Sequence, residues 1–380
     1  MSNCPPDGPH FSKTKIVATL VPASANPTMI EALLVAGVDV FRLNMAHGTP
    51  REQAPRLSMI RDVSRQVGQP VAVLADLAGV DRDNALWAGQ VGVDFVGLGL
   101  VRRAGEVRQF KELLATQGTA PQVIAKIETP EALADLAAIV AAADGVMVVR
   151  GDLGVETDIA RVALAQKQIV AVCRRACKPV IVATQMLDSM QHSRLPTRAE
   201  VSDVANAILD GADACMLSGE TAIGEYPREA VQMMHRIALA AEGWDGPLPP
   251  LQGEGHVETV SPIRQSIVRA AGQIAEEVRA KLVVVATASG ATALALAKLH
   301  YRVPTLGISN SAATLRRICL YYGVIPLPGV PMDDSPKTLQ FITDWGRRNS
   351  CLTSGDHLVM ISGAGLPTSA HNQIVLHRVP

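Results

Sequence analysis

Short apolar runs alternate with amphipathic stretches along most of this chain, from residue 15 to about residue 240. The apolar runs are rich in β-branched residues and carry too few polar positions for one face to be exposed, which is typical of strands that helices cover on both sides. Eight such units predict a closed, parallel (β/α)8 TIM barrel. The runs are KIVATLV (15–21), VDVFRLN (38–44), PVAVLAD (70–76), DFVGLGL (94–100), QVIAKIE (122–128), GVMVVRG (145–151), PVIVATQ (179–185) and ACMLSGE (214–220).

The alternation breaks at AAEGWDGPLPPLQGEGHVETVSP, a stretch rich in Gly and Pro that is typical of a linker. A helical pattern and five further apolar runs follow it, and they predict a smaller, open α/β domain. We therefore expect an N-terminal tail at 1–13, the barrel at 14–242, a linker at 243–256 and the C-terminal domain at 257–380.

The charge balance argues against several classes of partner. The 380 residues carry a net charge of -1, so neither nucleic acid nor an anionic membrane is an expected partner. The first residues lack the apolar stretch of a signal peptide, and no apolar run is long enough for a membrane span. The six cysteines show no paired zinc spacing. These features predict a cytoplasmic protein.

Polar residues stand at the ends of the predicted strands, where a barrel of this kind places its active face. Lys126 and Glu128 close the fifth strand two positions apart, so their side chains point to the same side. One charged residue at such a position is as easily explained by a salt bridge within the barrel, but polar residues at the ends of six strands favour an active site. The others are Arg42, Asn44, Asp76, Arg150, Asp152, Thr184, Gln185, Ser218 and Glu220.

Two of these carboxylates, Glu128 and Asp152, would repel each other unless a cation lies between them. Oxygen ligands of this kind suit Mg2+ or Mn2+. The glycines of the predicted loop RGDLG (150–154) would let backbone amides turn toward an anion. Lys126 and Arg42 add positive charge for a phosphate or a developing enolate. The pattern predicts a site for a small α-keto acid, with the metal as Lewis acid.

Several long motifs carry a family resemblance. They are TKIVATLVPAS, VFRLNMAHGT, AKIET, VVRGDLGVE, KPVIVATQML, PTRAEVSDVANAILDGADACMLSGETAIGEYPREAV and the closing HRV. In order and content they resemble pyruvate kinase, and they extend over both predicted domains. The chain is identified as a member of the pyruvate kinase superfamily. The resemblance also implies a homo-oligomer, a tetramer or a dimer.

The resemblance assigns roles to the charged residues. It implies that Glu128 and Asp152 are ligands of Mg2+ or Mn2+. By the same resemblance, Lys126 neutralises the transferring phosphoryl group and the enolate, and Arg42 contacts phosphate.

The remaining roles are implied in the same way. Thr184 lies over the substrate near the enolate methylene, and the amides of Gly151 and Asp152 hold the substrate carboxylate. Asn44 and Asp76 belong to a monovalent-cation (K+) site.

The sequence departs from the family pattern around the third strand. Pyruvate kinases insert a mobile lid domain after this strand, whereas here VLADLAGVDRDNALWAGQVG runs directly into the next helix pattern. The family stretch DTKGPEIR is replaced by DLAGVDRD, so Leu77 stands for its threonine and Ala78 for its lysine. Ala46 replaces the serine of the monovalent-cation site.

These losses favour a metal-dependent carbon–carbon lyase that works through a pyruvate enolate. A pyruvate aldolase, with an aldehyde as second substrate, and an oxaloacetate-type decarboxylase share that intermediate. The first alternative is a minimal, lidless pyruvate kinase that converts phosphoenolpyruvate and ADP to pyruvate and ATP. The second is a non-catalytic relative that binds a metabolite.

Overall fold

The computed structural model describes residues 12–21, 25–46, 49–116, 121–244, 261–362 and 373–380. The chain divides into two compact units, Thr14–Gly255 in one and Met1–Lys13 with His256–Pro380 in the other. Nearly all of the predicted tail and linker lies outside the described residues.

The first unit is a closed barrel of eight parallel strands in sequence order, with the first strand hydrogen-bonded to the eighth. The prediction of a TIM barrel is confirmed. Almost every strand residue is buried, because the strands are covered by helices outside and by each other's side chains inside. The strands are β1 Lys15–Leu20, β2 Val40–Asn44, β3 Ala72–Leu77, β4 Phe95–Leu98, β5 Gln122–Ile127, β6 Gly145–Val149, β7 Val180–Ala183 and β8 Ala214–Leu217.

The barrel helices begin and end where local sequence signals place them. Asn26 caps the first by accepting a hydrogen bond from the Met29 amide at 2.9 Å. Gly37, with φ of 115°, ends it in the left-handed conformation that glycine adopts without strain. The helices are α1 Pro27–Ala36, α2 Pro50–Val67, α3 Arg82–Val91, α4 Ala104–Ala115, α5 Pro130–Ala134, α6 Leu136–Ala142, α7 Arg150–Glu156, α8 Val162–Arg175, α9 Arg198–Asp210, α10 Gly219–Ala222 and α11 Pro227–Glu242, with 3-10 turns at Ile159–Arg161 and Asp188–Gln191.

One local prediction is wrong at RGDLG, which is not a flexible loop. Helix α7 begins at Arg150, directly after β6 ends at Val149. Gly151 and Asp152 therefore lie in the first turn of a helix, where backbone N–H groups have no partner within the helix. The amides that were expected from a loop are supplied by a helix terminus instead.

The second unit confirms the prediction of a smaller α/β domain. The five strands among its described residues lie in the order β11-β10-β9-β12-β13, and of these only β13 runs antiparallel to its neighbour. No helix among the described residues is long and apolar enough to span a membrane. The strands are β9 Leu282–Ala286, β10 Thr305–Ile308, β11 Val324–Leu327, β12 His357–Ser362 and β13 Gln373–Arg378, and the helices are α12 Pro262–Glu277, α13 Ala291–Ala297, α14 Ala312–Arg317 and α15 Ser335–Arg348, with a 3-10 turn at Ile318–Leu320.

Candidate active site

Four charged side chains from three strands meet at the carboxyl-terminal face of the barrel. The Arg42 guanidinium contacts Asp76 Oδ2 through Nε at 2.7 Å and through a terminal nitrogen at 2.6 Å. Lys126 Nζ lies 2.8 Å from Glu128 Oε1 and 3.5 Å from Asp76 Oδ1. Two cations and two carboxylates thus balance, as buried charges must. Three of the predicted catalytic and metal-binding residues lie in this one cluster.

The charge of Lys126 is secured by its neighbours. Burial by itself would lower the pKa of this amine, but the carboxylates of Asp76 and Glu128 outweigh burial, and the net effect raises the pKa. The ion pairs therefore stabilise the fold below the ordinary lysine pKa, and that contribution is lost as pH rises through the higher folded value. At neutral pH the amine is a fixed positive charge.

Glu128 is oriented by a contact that the sequence analysis missed. Its Oε2 accepts a hydrogen bond from the Leu100 amide at 2.8 Å, and Leu100 has a φ of 56°. The preceding residue must be glycine, because a Cβ on Gly99 would lie 2.5 Å from the Ala78 carbonyl oxygen. A Cβ on Gly97 would lie 2.7 Å from Asp76 Oδ1. The two glycines in GLGL could have indicated that residues 97–99 pass close to Asp76 and Ala78.

The two residues expected at the monovalent-cation site lie on neighbouring strands. The register of β2 and β3 pairs Asn44 with Asp76. Asn44 Oδ1 accepts a hydrogen bond from the Ala46 amide at 3.1 Å. Asp76 Oδ1 accepts no hydrogen bond within the described part of the chain and lies 3.5 Å from the Lys126 amine. Leu77, which replaces a threonine, is 1% exposed and belongs to the apolar core.

Thr184 and Gly151 are in direct contact at the ends of β7 and β6. The Gly151 amide donates to Thr184 Oγ1 at 2.7 Å, and that hydroxyl donates to the Ala183 carbonyl at 2.6 Å. Thr184 and the next residue, Gln185, have φ of 71° and 53°. Such conformations cost about 1–3 kcal/mol each and persist only where the surroundings enforce them. Asp152 is exposed in the first turn of α7.

Two other strand-end residues serve the scaffold. Glu220 is 1% exposed and accepts hydrogen bonds from the amides of Leu187 at 3.0 Å and Ser218 at 2.7 Å, and burial raises its pKa. Thr19, which the sequence analysis did not select, accepts a hydrogen bond from Arg42 at 3.2 Å and donates to the Leu217 carbonyl. Thr19, which lies on β1, therefore helps to orient the guanidinium of Arg42.

Comparison with known families identifies the chain. The model of the pyruvate kinase barrel domain matches residues 11–85 and 77–231, and the model of the pyruvate kinase alpha/beta domain matches residues 265–377. The chain belongs to the pyruvate kinase family. It is an enzyme of the pyruvate kinase type, and the resemblance found in its motifs is confirmed.

Curated pyruvate kinases cover nearly the whole chain. Pyruvate kinase 2 of Synechocystis sp. is 32% identical over 92% of this chain and 76% of its own length. Pyruvate kinase of Geobacillus stearothermophilus is 31% identical over 96% of this chain and 80% of its own length. Pyruvate kinase of Mycobacterium tuberculosis is 32% identical over 96% of this chain and 98% of its own length.

The preference for a lyase is wrong. The relatives described above are all named pyruvate kinase, and their similarity to this chain extends over most of its length. The expectation gave too much weight to residues lost near the third strand. Two of those positions, Ala46 and Ala78, are exposed, and the buried cluster of Arg42, Lys126 and Glu128 is intact without them. The aldehyde partner loses its support with the lyase.

Proposed function

We propose that this protein is a pyruvate kinase that transfers a phosphoryl group from phosphoenolpyruvate to ADP. The observation that carries the proposal is the ammonium group of Lys126, held beside Asp76 and Glu128 at the active face. Phosphoryl transfer depends on positioning and on neutralising the charge of the transferring group, and a fixed cation supplies that neutralisation.

The other site residues take roles that their positions support. Arg42 is held by Asp76 and Thr19, so its guanidinium is oriented to contact the substrate phosphate. The first turn of α7 places the amides of Gly151 and Asp152 at a helix terminus, which favours a carboxylate. The Gly151 amide already donates to Thr184 Oγ1, so a bound carboxylate would share this donor with the hydroxyl. Thr184 contacts Gly151, so its hydroxyl lies beside the proposed carboxylate site and is the group we assign to the substrate methylene.

The donor set at this face fits a divalent cation. No three His, Cys, Asp or Glu side chains form a metal cage among the described residues. Mg2+ needs only one or two carboxylates when substrate and water fill its other positions. We assign these ligands to Glu128 and Asp152. When bound, the ion would supply positive charge to the substrate oxygens.

We also propose that the chain lacks a lid domain. Strand β3 ends at Leu77 and α3 begins at Arg82, so four residues connect them. The alignment with the Synechocystis enzyme has 456 positions, and 92% of 380 residues is about 350, so about 100 positions have no residue in this chain. A site without a lid excludes water less completely, and we expect slower transfer than a closed site allows.

The residues present do not fit a monovalent cation. Ala46 offers a methyl group where the family has a hydroxyl, and Asp76 already has Arg42 and Lys126 at its two oxygens. A third cation would be repelled by both. We expect turnover in KCl to stay within about twofold of turnover in choline chloride at equal ionic strength. A tenfold or larger activation by K+ would restore the Asn44 and Asp76 site.

The proposed function is tested by steady-state ATP formation from phosphoenolpyruvate and ADP, with Mg2+ and with EDTA. We expect turnover that saturates with both substrates and stops when the metal is removed. Protein that binds phosphoenolpyruvate and Mg2+ but forms no ATP would contradict the proposal. The homo-oligomer and the cytoplasmic location stay predictions.

A further inference from the structure

We infer that Arg150 is a positioning residue that holds Thr184 in its strained conformation, and so sets the geometry at the proposed substrate carboxylate. The inference rests on the proposed function for the role of Thr184. The hydrogen bonds from Arg150 to the backbone carbonyls of Thr184 and Gln185 are called the clamp below. The existence of the clamp rests on these contacts alone.

The segment that follows β7 requires an external restraint. Thr184 and Gln185 both have left-handed φ values, 71° and 53°, and neither is glycine. Threonine is β-branched, and its side chain is sterically disfavoured in this region. Left without support, the segment would relax to an ordinary conformation and carry the threonine hydroxyl away from the Gly151 amide.

The guanidinium of Arg150 supplies the restraint through backbone carbonyls. One terminal nitrogen donates to the Thr184 carbonyl at 2.7 Å and to the Gln185 carbonyl at 3.0 Å. Nε donates to the same Thr184 carbonyl at 3.2 Å. The rigid fork of donors in arginine suits such a bridge, and the positively charged donor makes the bonds stronger than neutral ones.

Arg150 is itself fixed by the surrounding helices. Its other terminal nitrogen contacts Asp203 Oδ2 on α9 at 2.6 Å and Gln166 Oε1 on α8 at 3.4 Å. The arginine side chain is 9% exposed. Gln166 in turn donates to Asp210 at 3.0 Å. The clamp therefore ties the strained segment to two helices of the outer layer.

The clamp and the substrate site are joined through consecutive residues. The side chain of Arg150 binds the carbonyl of Thr184, while the amide of the next residue, Gly151, binds its hydroxyl. Thr184 is thus held at its backbone and at its side chain by one short segment. A loss of Arg150 should disturb the Thr184 hydroxyl and the Gly151 amide together.

The test uses Arg150→Met, Thr184→Val and the double variant, with Arg61→Met as the matched control. Arg61 also pairs with an aspartate, Asp94 at 2.7 Å, and donates to a backbone carbonyl, that of Val71 at 2.9 Å. Arg61 lies on α2, and both of these contacts are at the amino-terminal ends of β3 and β4, away from the active face. The measurements are kcat for ATP formation and hydrogen–deuterium exchange of the peptide that covers 183–187.

We expect Arg150→Met to lower kcat about 100-fold, since a misplacement of about 1 Å has that effect. The double variant should be no slower than the slower single variant, because Arg150 acts by placing the Thr184 hydroxyl, and Thr184→Val already removes that hydroxyl. Exchange at 183–187 should rise in Arg150→Met, and Arg61→Met should change neither quantity. If Arg150→Met does not fold, Asp203→Asn removes only its anchor and should give a smaller effect of the same kind.

The positioning role would be overturned if the loss of kcat in the double variant equals the product of the losses in the two single variants. It would also be overturned if Arg150→Met has a kcat close to that of the wild type. Unchanged exchange at 183–187 would overturn the clamp. If wild-type protein forms no ATP, the proposed function fails, and the exchange measurement alone then decides whether the clamp exists.

Discussion

Lys126→Met should lower kcat for ATP formation about 1,000-fold, since it removes the cation that neutralises the transferring phosphoryl group. The change also leaves Asp76 and Glu128 buried without the amine between them. Breaking a buried ion pair of this kind costs about 3–5 kcal/mol of stability. Activity should be measured where circular dichroism shows the variant to be folded.

Lys15→Met is the control for that loss of stability. Lys15 is 4% exposed and lies 3.2 Å from Asp39 at the start of β1, at the other end of the barrel. Its removal should also lower the free energy of unfolding but leave kcat near the wild-type value. If Lys126→Met retains activity, or if Lys15→Met loses as much activity, the proposed role of Lys126 is wrong.

Glu128→Gln should weaken Mn2+ binding about 10- to 100-fold, because an amide is a poorer ligand for a hard cation than a carboxylate. Free Mn2+ can be measured by electron paramagnetic resonance during titration of the protein. The substitution also weakens the pairing with Lys126, so the pKa of that lysine should fall toward the value that burial favours.

Glu131→Gln is the matched control for the metal measurement. Glu131 is exposed in the first turn of α5, three positions beyond Glu128. The same loss of one negative charge at this position should leave Mn2+ affinity unchanged, which separates ligand loss from a general change in charge. Equal affinities in the two variants would remove Glu128 from the ligand set.

The barrel could be predicted from sequence because its strands are buried on both sides and must be apolar. The active face could be predicted because Lys126 and Glu128 are charged residues on an apolar strand, where a charge needs a partner. Spacing on the strand also placed their side chains on one side, and the structure brings them within 2.8 Å.

Arg150 could not be interpreted in the same way. Its role depends on the left-handed φ values of Thr184 and Gln185, which are set by packing around the segment. The sequence Thr184–Gln185 gives no indication of a left-handed conformation, since neither residue is glycine. The sequence showed a charged residue at a strand end, and only the contacts with two carbonyls and Asp203 show that it faces the helices.

The central claim is that this face transfers phosphoryl groups from phosphoenolpyruvate to ADP. Phosphorus NMR of phosphoenolpyruvate, ADP and Mg2+ with protein in excess tests it most directly, because it distinguishes transfer from hydrolysis at an open site. We predict that phosphoenolpyruvate disappears and the γ-phosphate of ATP appears in equal amount. Persistence of phosphoenolpyruvate, or its conversion to inorganic phosphate without ATP, would contradict the claim.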